Sequence, residues 1–186
     1  IAMLQRRMQA NPEDARLPFA LGNLWYSKGQ AGKAIACWQV AVEINPNFAT
    51  AQRNLGLAAF NALQDPSEAW ERYELAFALN PSDARILFEL DQLAKRLAHE
   101  PADRLRRLLE FSSIVDQRDD LTLELATLLN LRGQHREALA LISKRNFHPW
   151  EGGEGKVAAQ YTLALSELAR AALHAGLANV ALDYLQ

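Results

Sequence analysis

The run richest in chemically capable side chains is Arg145-Asn146-Phe147-His148-Pro149-Trp150-Glu151-Gly152-Gly153-Glu154-Gly155-Lys156. Its closely spaced glycines before a lysine invite comparison with a phosphate-cradling loop, in which backbone N–H groups and a Lys surround the phosphates. The pattern G-x-x-x-x-G-K-[ST] fails, because Trp150 stands at the first Gly and Val157 at the hydroxyl position. No strand precedes the run either, so nucleotide hydrolysis is not expected. Anion binding is the weaker alternative: the run feeds a helix start, whose free N–H groups and Lys156 favour negative charge, whereas Glu151 and Glu154 oppose it. His148, Glu151 and Glu154 offer metal-ligand and acid–base chemistry, yet no second histidine has a supporting spacing. The preferred reading has Phe147 and Trp150 plugging a gap while the charged side chains stay wet. If the loop works at all, its candidates are His148, Trp150, Glu151, Glu154 and Lys156.

Other reactive types are scattered. Cys37, between Ala36 and Trp38, is expected to be a small buried hydrophobe. Ser112, Ser113 and Ser166 lack a nucleophile elbow. His135 belongs to a turn and is expected to face solvent. Lys95, Arg96, Arg104, Arg106 and Arg107 are interleaved with Glu89, Asp91, Glu100, Asp103 and Glu110, which predicts a solvated, salt-bridged face. No catalytic residue, metal site or cofactor is expected.

The elements that must position these residues follow from a period. Asn11-Pro12, Asn45-Pro46 and Asn80-Pro81 recur at intervals of 34 and 35 residues. Leu21-Gly22, Trp25, Ala34, Trp38 and Ala41 fall in the first interval, and Leu55-Gly56, Ala59, Ala69, Tyr73 and Ala76 in the second. Spacings of three and four predict two amphipathic helices per unit. Gly22 and Ala34 let the helices approach, Trp25 and Trp38 fill the space between them, and each Asn-Pro stops the second helix.

This pattern of Leu-Gly, an aromatic, two alanines and a Pro over 34 residues resembles the tetratricopeptide repeat family. The resemblance implies an all-α, right-handed superhelical solenoid of helix-turn-helix repeats. It divides the chain into 1–14 (the end of a preceding repeat), 15–48, 49–83, a divergent 84–118, 119–145, an inserted loop 146–157 and an incomplete 158–186. In the third unit Asp91 replaces the Gly and Arg107 the aromatic, and the fifth is expected to start near Thr162. The first helices of such repeats line a concave groove. The groove candidates are Arg16, Phe19, Asn23 and Tyr26, then Arg53, Asn54 and Leu57, then Arg85, Phe88, Gln92 and Lys95. Some family members grip a peptide's terminal carboxylate with a Lys, two Asn, a Lys and an Arg; those positions read Phe19, Asn23, Asn54, Arg85 and Glu89 here. Phe19 removes one cation and Glu89 reverses another, so such a clamp is not expected. For Asn54 a helix-to-helix hydrogen bond is preferred over ligand contact. The loop 146–157, with Gln117-Arg118-Asp119-Asp120, more faintly resembles the C-terminal repeat region of large bacterial, carbohydrate-associated proteins whose N-terminal part is β-rich.

Composition fits these expectations. The chain has 186 residues, 49% hydrophobic and 23% charged, with net charge −2, which suits a folded domain and gives no field for nucleic acid. No apolar run approaches membrane-span length. One cysteine forms no internal disulfide, so a reducing, cytoplasmic setting is expected. The chain opens at Ile1 without an initiating Met and is expected to be an internal piece of a longer protein. The function expected is non-catalytic protein–protein interaction or scaffolding, with a peptide or domain in the groove. The partner is a protein or peptide, or the rest of its own chain; neither nucleic acid nor membrane is expected, and self-association through an exposed repeat end stays open. The alternative is an accessory domain of a larger carbohydrate-active enzyme, its 146–157 loop docking on the catalytic part.

Overall fold

The computed structural model describes residues 1–150 and 153–185. Glu151, one of the loop candidates, lies outside them. The fold is all-α, and no strand occurs among the described residues. Two compact units are present, Ile1–Leu97 and Ala98–Gln186.

The first unit contains α1 (Ala2–Ala10), α2 (Arg16–Ser27), α3 (Ala31–Ile44), α4 (Ala49–Ala58), α5 (Pro66–Leu79) and α6 (Ala84–Arg96), with α4 running on into a π-helical turn at Ala59–Leu63. Each helix packs on the next in sequence, so the unit is a stack of antiparallel hairpins. Start signals are visible where side chains supply them. Asp65 accepts from the Glu68 N–H ahead of Pro66, and Asp83 accepts from the Arg85 and Ile86 N–H groups, capping α5 and α6. The core gathers Ala34, Trp38, Leu55 and Ala58, with Phe19, Trp25, Tyr26, Ile35 and Val42 packed against it. Helix proximity is set by two glycines. A Cβ on Gly22 would lie 2.5 Å from the Trp38 ring, and one on Gly56 would lie 2.8 Å from the Tyr73 ring.

The lengthening from 34 to 35 residues has a structural cause. Gly22 and Ala34 are 12 apart, whereas their counterparts Gly56 and Ala69 are 13 apart. The hairpin α2/α3 closes with the Gln30 N–H on the Trp25 carbonyl, five residues back, and the left-handed corner falls on Gly29. In α4/α5 the Asp65 N–H reaches the Ala59 carbonyl, six residues back, and the corner falls on Gln64 at φ 54°. The extra residue is therefore taken up in the π turn, the usual form in which a helix absorbs a single insertion.

The second unit contains α7 (Pro101–Glu110), α8 (Ser112–Val115), α9 (Asp119–Leu131), α10 (His135–Ser143), α11 (Lys156–His174) and α12 (Ala178–Asp183). Leu121, Leu125, Ala126 and Leu129 of α9 are buried, as are Leu105, Leu108, Val115, Ala138, Ile142 and Ala164. Helix α11 begins at Lys156, six residues before Thr162, because Gly155 at φ 72° turns the loop directly into it. Three expectations are corrected in these units. His135 does not face solvent: it opens α10, half-buried, with Nδ1 3.0 Å from the Asn130 Oδ1, while Asn130 donates to Gln160 on α11. Arg104 does not belong to a solvated face: it is buried and paired with Glu124 at 3.0 Å. Cys37 is only half-buried, its thiol pushed up by that burial.

Candidate functional site

The first unit holds an open cavity of about 340 Å³. Leu57 of α4, Phe60 and Asn61 of the π turn, and Tyr73 of α5 form one side; Phe88, Glu89, Gln92, Leu93 and Arg96 of α6 form the other. Its walls are largely aromatic and aliphatic, with the amides of Asn61 and Gln92 among them. The Arg96 guanidinium stands over the Phe60 ring at 5.5 Å, a cation–π distance. Because the π turn carries Phe60 and Asn61, the inserted residue shapes this wall.

Beside the cavity, polar side chains from α2, α3, α4, α5 and α6 join in one continuous network. Glu89 receives the Arg53 Nε at 2.5 Å and also the Arg53 Nη2, the Arg85 Nε at 3.0 Å and the Tyr73 hydroxyl at 3.1 Å. Arg53 donates through Nη1 to the Asn54 Oδ1 at 2.8 Å. Asn54 donates to the Asn23 Oδ1 at 2.8 Å, and the Trp38 Nε1 donates to the same oxygen at 3.0 Å. Burial alone would raise the Glu89 carboxyl, but hydrogen bonding and charge from Arg53, then Arg85 and Tyr73, outweigh it and hold Glu89 below its ordinary range. Burial likewise depresses the Arg53 guanidinium, and Glu89 raises it further than burial lowers it. Burial, then the Glu89 charge, pushes the Tyr73 phenol well up.

The sequence candidates divide into three groups. Asn23, Arg53, Asn54 and Arg85 belong to the network, and Leu57, Phe88 and Gln92 line the cavity. Phe19 and Tyr26 pack on aromatic neighbours instead, Phe19 4.7 Å from Phe48 and Tyr26 5.4 Å from Trp38. Arg16 is exposed and paired with Asp14, and exposed Lys95 lies outside the cavity lining. The expectation that Glu89 presents a bare repulsive charge is corrected: two arginines and a tyrosine compensate it. Sequence reasoning missed Phe60, Asn61, Tyr73, Leu93 and Arg96. The lengthened second interval was the one signal that pointed towards Phe60 and Asn61.

In the second unit the loop folds back on the turn before α9. Asp119, at the start of that helix, accepts from the Arg145 Nε at 2.5 Å and from the His148 backbone N–H at 2.7 Å, with the His148 Nδ1 at 3.1 Å. Arg145 also donates to the Asp116 carbonyl at 2.7 Å. Burial raises the Asp119 carboxyl, but the His148 backbone and the Arg145 side chain hold it lower than usual. Trp150 lies over Gly153, where a Cβ would collide with the indole, and the Phe147 ring is 6.3 Å from that of Trp150. Gly153 and Gly155 thus serve close packing and a left-handed corner. Glu154 and Lys156 are exposed. A cleft of about 310 Å³ runs between residues 117–120 and Arg145, His148, Pro149 and Trp150. Among the described residues no three His, Cys, Asp or Glu side chains are grouped to hold a metal ion, and no helix is long and apolar enough to cross a membrane.

The hairpin stacks and the Gly-under-aromatic contacts are those of the tetratricopeptide repeat fold. The family model described as TPR repeat matches residues 22–62. Such repeats are protein-interaction modules and in general non-catalytic scaffolds. The chain is similar to the peroxisomal targeting signal receptors of Kluyveromyces lactis, at 35% identity over 77 residues, and Saccharomyces cerevisiae, at 32% over 77 residues. Each match takes in 41% of this chain but only 13% and 12% of the receptors' own lengths. Among solved structures, the fold is shared with YrrB, a TPR protein with an unusual peptide-binding site, at TM-score 0.66 and 19% identity over 98% of this chain and 88% of that one. It is also shared with PilF of Pseudomonas aeruginosa, at TM-score 0.64 and 17% identity over 97% and 78%.

Proposed function

We propose that the first unit binds a peptide segment of a protein partner in the groove between α4 and α6, and that the chain works by binding rather than by chemistry. The observation that carries this reading is the 340 Å³ cavity, whose apolar walls are interrupted by the amides of Asn61 and Gln92. Apolar concavity with a few convergent polar groups is the usual form of a binding site. Two similarities add support: one set of relatives is named as receptors for a targeting signal, and one shared fold belongs to a protein titled for its peptide-binding site. The repeat limits 15–48, 49–83, 84–118, 119–145 and 158–186, and a cytoplasmic setting, are part of the same reading.

The test is affinity capture with wild type, Phe88→Ala/Gln92→Ala and, as a loop control, Trp150→Ala, each shown to be helical by circular dichroism. Loss of a retained partner with the first variant alone, roughly tenfold or more for two well-seated contacts, is expected. Retention unchanged by Phe88→Ala/Gln92→Ala would end the groove reading. A second reading places a docking surface at the loop, for the remainder of a longer, carbohydrate-active chain. Its support is the 310 Å³ cleft with exposed His148 and Pro149 beside it; loss of the partner with Trp150→Ala alone would favour it.

A further inference from the structure

A carboxylate collecting four donors from two arginines and a tyrosine is held as a bound ligand is held. The Arg53 fork engages both Glu89 oxygens, Arg85 adds a bond to one, and the Tyr73 hydroxyl adds a bond to the other. The donors come from three helices, α4, α5 and α6. Arg53 is held independently of Glu89 through Asn54, Asn23 and Trp38, so it stays aimed when the carboxylate is removed. The Arg53 and Glu89 side chains are only 11% and 20% exposed. Glu89 and Tyr73 also border the cavity, so this seat lies in the groove wall.

We propose that Glu89 is a tethered carboxylate occupying an acid-binding seat of the groove, and that it thereby sets the groove's specificity: an apolar side chain from the interior of a peptide is accepted, and a free terminal carboxylate is refused. The specificity rests on the groove reading above; the seat does not. The cavity has room for one large side chain among Leu57, Phe60, Phe88 and Leu93, and chain-internal peptide brings no charge with it. A terminal carboxylate arriving there finds the donors of the seat already engaged by Glu89 and is desolvated without them.

Two experiments decide the matter. Glu89→Ala removes a CH2 and a carboxylate, a fragment the size of acetate. Acetate at neutral pH is expected to raise the melting temperature of Glu89→Ala above its value in equal chloride, and to leave wild type unchanged. Equal melting in acetate and chloride would overturn the seat. Glu89→Gln, which keeps the shape and removes the charge, serves if Glu89→Ala does not fold. It is compared with wild type for binding acetyl-Gly-Gly-Phe-Gly-Gly-amide and acetyl-Gly-Gly-Phe with a free terminus, followed by NMR shifts of Phe60 and Gln92. Wild type is expected to prefer the amide about tenfold, the effect of burying a carboxylate whose donors are already taken, and Glu89→Gln, which frees part of them, to lose that preference. Wild type binding both equally, or a preference that survives Glu89→Gln, would overturn the assigned specificity. Binding of neither peptide would overturn the groove reading and the specificity together, leaving acetate to decide the seat alone.

Discussion

Hairpins α2/α3 and α4/α5 are built on the same contact and end differently. In each, a glycine on the first helix lies under an aromatic ring of the second: Gly22 under Trp38, and Gly56 under Tyr73. In each, the polar tip of that ring finds a partner on a first helix. The Trp38 indole donates to the amide of Asn23 within its own hairpin, whereas the Tyr73 hydroxyl donates to the carboxylate of Glu89 on the next helix, α6. The first hairpin turns tightly at Gly29; the second carries one more residue, a π turn and a corner at Gln64. The cavity lies beside the second hairpin. One kind of contact can therefore anchor two hairpins alike while one turn, lengthened by a residue, gives its neighbour a pocket wall.

The shared anchor is where substitution should cost most. Gly22→Ala is expected to cost about 2 kcal/mol and Gly56→Ala about 1 kcal/mol, because overpacking outweighs the helix propensity gained and the first ring lies closer. Urea denaturation checks this, and equal losses would mean that the tighter contact does not control the cost. Next comes the difference between the two polar tips. Glu89→Gln is expected to lose about 1–2 kcal/mol at neutral pH, since it weakens hydrogen bonds to a charged group. The folded-state carboxyl of Glu89 is held below its ordinary 4.5, so its contribution is present above that value and lost as pH falls through the lowered one. Wild type should lose stability across that acid range by an increment that Glu89→Gln lacks. Asn23→Ala, which removes only the uncharged hydrogen bonds from Trp38 and Asn54, should lower stability equally at every pH. The smallest effect is at the corner. Gln64→Gly relieves a left-handed backbone and is expected to stabilise by about 0.5 kcal/mol, read as a small rise in melting temperature.

These two hairpins also show how far the sequence can be read. Gly22 with Trp38, and Gly56 with Tyr73, stand out because helical spacing turns their separation into a facing contact. The residue added between Gly56 and Ala69 is visible as a changed interval, but spacing does not say whether a helix widens or a loop lengthens. Glu89 and Arg53 are 36 positions apart and meet only through the stacking of α4, α5 and α6, so no local pattern announced their pairing. Arg104 looked solvated because its neighbours in sequence are charged, while its partner Glu124 lies 20 residues on. In the loop, residue type suggested Phe147 and Trp150 as a plug, but the 6.3 Å approach of their rings to each other was not foreseen. The role of Asp119 as the residue receiving both Arg145 and His148 needed the chain to return on itself.

The π turn has a hereditary side. A helix that gains one residue at its end shifts only the chain beyond that point, and here the corner at Gln64 restores the phase before α5 begins. Inserting or deleting a single codon at such a corner would add or erase a pocket wall while leaving the glycine–aromatic anchors on either side untouched. An array of this design can thus acquire and lose pocket walls in single genetic steps, one hairpin at a time.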